Sequence, residues 1–194
     1  MEKKLILILA AVFAVTAASA QKQHEINFYM GGEPSAFMSV ENDAAFNYGL
    51  DLYSIYEPHT SISTDAPVLS LDYTYTFKSW LKAGLEFSHC SIYSATTYRL
   101  GNKPDVHRTT NVFALLPQAK FSIPSPEHFR LYGKVAAGLQ YNAGDLIPGN
   151  GRVQFAYDIV PLGVQWGGHF IYGTAELCVG SVCMGGRIGI GINF

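Results

Sequence analysis

Two neighbouring side chains have the types and spacing of a hydrolytic pair. His89 and Ser91 lie two residues apart, so within an extended strand they point to the same side. A histidine beside a serine can accept its proton and generate a nucleophile. The pair also needs an acidic group to orient the histidine, and no acidic residue is evident at a matching position on the next predicted strand. His89 and Ser91 are therefore weak candidates for catalysis, and polar residues near a strand end are the simpler interpretation.

A larger group of chemically competent side chains is charged and recurs at alternate positions. Alternate residues of a strand share one face, and this face is opposite to the apolar one. Mixed charges on a shared interior face favour a structural ion network over a proton relay or a narrow pore, because buried charges need partners. The set comprises Asp72, Lys82, Glu86, Lys134, Asp158, Glu176 and Arg187, and we expect Lys120 and Arg130 to join it.

The remaining histidines, at positions 24, 59, 107, 128 and 169, show no metal-ligand spacing. We therefore expect neither a metal site nor a cofactor. The chain has 13 basic and 15 acidic residues and a net charge of -2, so nothing favours nucleic acid, which calls for a basic patch.

Alternating segments separated by turn residues must position these side chains. The first predicted strand runs through Ile26, Phe28 and Met30, and the last two form the terminal hairpin. The five between them are predicted at Pro67 to Phe77, Trp80 to about Tyr93, about Thr109 to Ile123, Phe129 to Asn142, and Arg152 to Trp166.

The last strand indicates the environment of this sheet. One face carries Gly186, Ile188, Ile190, Ile192 and Phe194, and the other carries small or polar residues. Such a strand suits a wall between lipid and a packed interior, so we predict an all-β, eight-stranded, antiparallel up-and-down transmembrane barrel. An even strand count with short turns near 78, 124–128 and 167 makes those turns periplasmic. The longer connections at 32–66, 95–108 and 143–151 are then extracellular loops, and aromatic residues gather at the periplasmic rim: Phe77, Trp80, Phe121, Phe129, Trp166 and Phe194.

The amino terminus has the pattern of a secretory signal. Lys3 and Lys4 precede the apolar run Leu5–Val15, and Ala18-Ser19-Ala20 supplies small residues for cleavage. The run is shorter than the ~20 residues that a spanning helix needs. We predict removal of residues 1–20 and a single domain over 21–194. In its long first loop, about 32–66, Asn42-Asp43 is expected to cap a short helix through Tyr53. This segment either covers the barrel mouth, which we favour, or binds a ligand.

Two local features make sharper predictions. Pro117 and Pro161 lie inside predicted strands, and the apolar parity changes at Pro161, so both are interpreted as β-bulges. If Gly180-Ser181 is a two-residue turn, Cys178 faces Cys183, which predicts a disulfide in an oxidising compartment; two reduced thiols are the alternative. The same register leaves Glu176 one diagonal step from Arg187.

Several carboxy-terminal motifs together resemble a known family. Pro161-Leu162-Gly163, the Trp166-Gly167-Gly168 turn, Glu176, Gly180 and the closing Gly-Ile-Gly-Ile-Asn-Phe are similar to the small porin-family outer-membrane β-barrel domain, whose relatives are the OmpX and OmpA barrels. The resemblance covers roughly 26–31 and 67–194. It implies an integral outer-membrane location in a Gram-negative bacterium and makes Phe194 a signal for the barrel-assembly machinery. The spacing of His89 and Ser91 also resembles that of a lipid A deacylase, although the asparagine that usually follows the serine is missing.

Three functions from different classes follow. The first is a non-enzymatic, monomeric barrel with a lumen filled by side chains, which contacts outer-membrane lipids and lipopolysaccharide and presents loops to an extracellular partner of unknown identity. The second is a narrow channel or porin. The third is a lipid A-modifying hydrolase that uses His89 and Ser91.

Overall fold

The computed structural model describes residues 23–33, 59–64, 67–97, 106–123, 128–144, 153–168 and 170–194. The predicted signal peptide at 1–20 and the predicted loop helix from Asn42 to Tyr53 lie outside these residues. The described parts form nine strands: β1 (His24–Glu33), β2 (His59–Thr64), β3 (Leu69–Lys78), β4 (Leu81–Thr97), β5 (Val106–Ile123), β6 (Phe129–Gly144), β7 (Val153–Gly167), β8 (Ile171–Gly180) and β9 (Met184–Asn193).

These strands close into one antiparallel barrel. Each strand from β3 to β8 pairs with its successor, β1 pairs with β3, and pairing of β1 with β9 closes the ring. The strand β2 adds to the edge of β4 beyond the last residue that pairs with β3, so β2 and β3 are two pieces of one barrel strand. Eight strands therefore surround the interior, and the predicted eight-stranded antiparallel up-and-down barrel is confirmed.

The short piece β2 corrects the predicted first loop. Residues 59–64 were expected to be part of a connection over 32–66, and β1 also extends to Glu33. The physical reason is the length of β4, which continues to Thr97 and offers an edge beyond His89. The segment that pairs with this edge of β4, Thr60-Ser61-Ile62-Ser63-Thr64, contains threonines and an isoleucine, residue types that favour β-strands.

The two ends of the barrel differ in their connections. One end, called the short-turn end below, contains the turn between β3 and β4 at Ser79-Trp80 and both described chain ends, where His24 and Phe194 exchange backbone hydrogen bonds of 3.0 and 2.9 Å. The connections over 34–58, 98–105 and 145–152 leave the opposite, long-loop end. This arrangement agrees with the predicted pattern of turns and loops.

Alternation divides the side chains between outside and inside. The outer surface carries a broad belt of exposed apolar residues, including Leu85, Leu139, Phe155 and Ile190, whereas the buried set contains most of the charged residues of the strands. This is the reverse of a water-soluble protein, in which large contiguous apolar surfaces are rare. We refer to this surface as the apolar belt. No helix among the described residues is long and apolar enough to cross a membrane.

One of the two predicted bulges is present. The register of β7 shifts by one residue against both neighbours around Pro161, as the change of apolar parity predicts. At Pro117 the prediction is wrong, because β5 keeps a constant register with β4 and with β6 on both sides of the proline. Pairing of β5 with β6 is interrupted opposite Gly138 without insertion of an extra residue, so the side-chain parity is preserved.

Candidate functional site

The barrel interior contains all seven charged residues that the alternation predicts for it. Each of them is buried, and they come from six different strands: Asp72 from β3, Lys82 and Glu86 from β4, Lys134 from β6, Asp158 from β7, Glu176 from β8 and Arg187 from β9. Lys120 is buried with them and Arg130 is half-buried, as expected. The inward face of the barrel is therefore the candidate site.

Arg187 is the residue that joins most of these charges. Its guanidinium donates from Nε to Glu176 Oε2 at 2.6 Å, from Nη1 to Glu86 Oε1 at 2.8 Å and from Nη2 to Asp158 Oδ2 at 3.0 Å. The same group lies 4.8 Å from the centre of the Tyr29 ring. A planar guanidinium has donors in three directions, which is why arginine can serve three carboxylates on three strands at once.

Lys134 is the second cation at this level. Its Nζ atom lies 2.8 Å from Glu86 Oε2, 3.4 Å from Glu176 Oε2 and 3.5 Å from Asp72 Oδ2. We call the six residues Asp72, Glu86, Lys134, Asp158, Glu176 and Arg187 the central cluster. It combines two cations with four carboxyl groups, so it has an excess of acid. Both oxygens of Asp72 and Oδ1 of Asp158 have no hydrogen-bond partner.

A second group of charges lies nearer the short-turn end. Glu25 Oε1 accepts a hydrogen bond of 2.6 Å from Lys120, and Lys82 binds the other oxygen, Oε2. Glu25 is not among the predicted inward charges. Its alternation with the outward residues Ile26 and Phe28 would have identified it as inward. Together with Arg130 these residues form what we call the basic cluster, which has three cations and one carboxylate. The two clusters thus carry opposite excess charges and compensate each other along the barrel axis.

Three tyrosines fill space between the clusters and the wall. The rings of Tyr29, Tyr132 and Tyr172 lie against the glycines opposite them on neighbouring strands, namely Gly189, Gly163 and Gly191. A Cβ atom at any of these glycines would overlap the ring, so only glycine leaves room for it. The hydroxyl of Tyr132 donates to Glu176 Oε1 at 2.6 Å, which links this aromatic layer to the central cluster.

The long-loop half of the interior also contains an apolar layer. Its buried members contact one another across the barrel and include Leu116, which is completely buried, as well as Val68, Cys90, Ile92, Val112, Ala114, Ala136, Ala156 and Val182. Alternation alone does not distinguish these inward apolar positions from outward ones. The sequence therefore predicts the inward charged residues but not this apolar layer.

The weak hydrolytic candidates do not contact each other. His89 and Ser91 are half-buried on the outward face of β4, as predicted. The hydroxyl of Ser91 donates to Asn111 Oδ1 at 2.7 Å, and the ring of His89 lies 4.8 Å from that of its cross-strand neighbour Phe113. A nucleophilic serine would donate to the histidine instead. Within the described residues, no group of three or more His, Cys, Asp or Glu is arranged to hold a metal ion.

The terminal hairpin has a different register from the predicted one. Val179 pairs with Met184, so residues 180–183 form the turn and Glu176 faces Arg187 directly. Ser181 bonds to the backbone of Tyr157, and the next two residues, Val182 and Cys183, are buried in the interior. Burial of these two side chains favours the longer turn over a tight two-residue one. Cys178 then faces Gly185, which is why the predicted cross-strand pair with Cys183 is not formed.

Cys178, Cys183 and Cys90 are free, buried thiols. Cys178 and Cys183 still belong to one small cluster with Val160. We expect the folded barrel to resist a bulky maleimide at all three positions, because such a reagent needs an exposed thiolate. Unfolding in the absence of reductant should then yield three adducts by mass spectrometry. A single adduct would show that the original disulfide prediction was correct.

Aromatic residues collect at the short-turn end, as predicted. Trp80 stacks on Phe121 with ring centres 6.4 Å apart, Phe129 pairs with Trp166, and Phe194 stacks on His24 at 5.6 Å. Phe77, Trp80, Phe121, Phe129 and Trp166 are exposed on the outer surface. They border the apolar belt on this side.

Comparisons with known proteins add little beyond this geometry. No protein-family model matches the chain, and no curated protein matches it. Among solved structures, the chain is similar to the N-terminal β-barrel domain of Pseudomonas aeruginosa OprF, with 13% identity and a TM-score of 0.44 over 90% of this chain and 98% of that one. The assignment of the fold therefore rests on the closed strand pairing described above.

Proposed function

We propose that this protein is a small integral outer-membrane barrel of a Gram-negative bacterium, with no enzymatic activity. In this proposal it is a monomer that contacts lipid and lipopolysaccharide, contributes to envelope structure and presents its long loops to a partner. The observation that carries the proposal is the inverted distribution of side chains, with the apolar belt outside and ten charged residues on the inward positions of a closed barrel. Bacterial outer membranes accommodate such barrels, with short turns on the periplasmic side.

The interior supports a closed barrel rather than a pore. An eight-stranded barrel is just wide enough for its side chains to fill. Here the basic cluster, the central cluster and the apolar layer follow one another along the axis, as Lys82, Glu86 and Cys90 do along β4, and the three tyrosines fill space beside the clusters. Ions would have to break the buried pairs of Arg187 and then cross the layer around Leu116, and both steps are costly.

Insertion and closure can be tested on the same preparation. We expect the mature chain, refolded in detergent and lipid vesicles, to migrate faster on gels when unheated than when boiled. Planar-bilayer recordings should show no steps above background. If the protein folds by the gel criterion and conducts ions in reproducible steps, the narrow channel replaces the closed barrel. A chain that never shows the mobility shift would contradict the barrel in the membrane.

The lack of enzymatic activity needs its own experiment. Mass spectrometry of lipid A from cells that contain the wild-type protein, the S91A variant or no copy should give identical spectra, because Ser91 donates to Asn111 and not to His89. Loss of an acyl chain that requires both the protein and Ser91 would establish the hydrolase instead.

Phe194, the aromatic residue that directly follows β9, is proposed to be recognised by the barrel-assembly machinery.

A further inference from the structure

A cavity of about 210 Å³ opens at the short-turn end of the barrel. Its lining comes from strands on both sides of the interior and includes Phe129 and Trp166, whose rings lie on the outer surface. The polar side chains that matter for its chemistry are Lys82, Arg130, Gln165 and Tyr172. None of the described residues that line the cavity is acidic.

Arg130 provides charge in this cavity that no carboxylate of the described residues pairs with. Among the ion pairs of the described residues, Lys82 and Lys120 both use Glu25, and Arg130 takes part in none. The basic cluster behind the cavity therefore has two positive charges in excess. The compensating carboxylates belong to the central cluster, which lies further along the axis: on β4, Glu86 follows Lys82 by four residues. A partly enclosed cation without a counter-ion attracts an anion from solution.

Gln165 adds an independent indication of a ligand. Its side chain is 5% exposed and lines the cavity, yet its Oε1 atom has no hydrogen-bond partner. Buried amide groups are nearly always bonded, so an unpartnered one beside a cavity marks a place where a further group is accommodated. The Oε1 atom is an acceptor, so it can bond only a protonated ligand oxygen, such as the hydroxyl of hydrogen phosphate, whereas an ionised oxygen would bond the Nε2 end of the same amide. By contrast, the Tyr172 hydroxyl is already used, because it donates to Asn27 Oδ1 at 2.7 Å.

We propose that this cavity is a binding site for a small anion, a carboxylate or a phosphate, held by Arg130 and Gln165. The guanidinium offers two parallel N–H groups that match two oxygens of either anion. The access of periplasmic ligands to the site rests on the proposed orientation in the membrane, but binding by the folded barrel does not.

The test uses the detergent-folded protein with isotope-labelled glutamine and two probes, acetate and inorganic phosphate, at constant ionic strength in chloride. We expect a saturable shift of the Gln165 side-chain amide signal with at least one of the probes. Because a hydrogen-bonded charge contributes roughly 1.5–3 kcal/mol, R130Q should weaken binding at least about tenfold. R130K, which keeps the charge but loses the two parallel donors, should lie between R130Q and the wild type.

K78Q is the matched control, since Lys78 lies outside the cavity and over the Trp80 ring at 5.7 Å. It removes the same charge and should bind like the wild type. Saturation by acetate alone identifies a carboxylate site, and saturation by phosphate alone identifies a phosphate site. Shifts that grow linearly with concentration, or that are equal in R130Q and K78Q, would overturn the proposal. The gel mobility of unheated samples shows separately whether each variant forms the barrel.

Discussion

Replacement of Arg187 by methionine should destabilise the barrel by about 3–5 kcal/mol, the usual cost of removing one partner from a buried ion pair. Methionine keeps much of the volume but leaves Glu86, Asp158 and Glu176 without the guanidinium that binds all three. Lys134 would then be the single cation among four carboxyl groups. Equilibrium unfolding in urea, in lipid vesicles, gives the free energy for the variant and the wild type.

Two further variants separate charge from packing. If excess acid is the cause, R187M combined with E86Q and E176Q should recover part of the lost stability, because fewer buried carboxylates then lack a partner. K78Q removes a charge at the rim and should change stability by less than about 1 kcal/mol. A loss in R187M below about 1 kcal/mol would mean that Arg187 does not hold the central cluster together.

An arginine at Val135 should cost about 2–4 kcal/mol in a bilayer, the range for a cation near the midplane of a barrel's lipid face. Val135 lies within β6, between Phe129 at the short-turn end and Tyr141 further along the strand, and is 46% exposed in the apolar belt. The physical cause is the transfer of a guanidinium into hydrocarbon, where neither water nor an acidic partner is available to it.

A substitution at the edge of the apolar belt, rather than near its middle, provides the control. Phe77 is 63% exposed but lies at the short-turn end, next to the turn between β3 and β4. F77R replaces an outward apolar group by arginine as V135R does, yet a cation at the interface costs only about 0–1 kcal/mol. Equal losses in vesicles for the two variants would contradict the orientation of the belt across the membrane. In detergent micelles the difference in stability loss between the two variants should shrink, because detergent molecules can rearrange and let water reach the added charge.

The alternation of residue types was sufficient for much of the fold and of the candidate site. It predicted the inward positions of Asp72, Glu86 and Arg187, since charge on the outer face of a membrane barrel is expensive. It also located the bulge at Pro161, where parity changes. Pro117 lacks that change of parity, and the structure has no bulge there, so parity was the informative signal and proline alone was not.

The errors arise where tertiary contacts decide between similar local structures. Gly180-Ser181 is a plausible two-residue turn, but burial of Val182 and Cys183 in the barrel mouth selects a longer one. This shift of register moves Cys178 from Cys183 to Gly185. Likewise, nothing local in the sequence shows that Glu25 meets Lys82 and Lys120, because these residues are 57 and 95 positions away from it.

The glycines beneath the tyrosine rings also affect how the barrel assembles. On β9, Gly189 receives Tyr29 from β1 and Gly191 receives Tyr172 from β8, so the two neighbours of the closing strand use different glycines of one stripe. A slip of two residues that moved Tyr29 onto Gly191 would bring it into conflict with Tyr172. The seam between β1 and β9 joins the most distant parts of the chain, and such pairings form slowly. Tyr29 therefore disfavours a barrel in which the β1–β9 register is shifted by two residues, at a pairing that forms slowly because it joins distant parts of the chain.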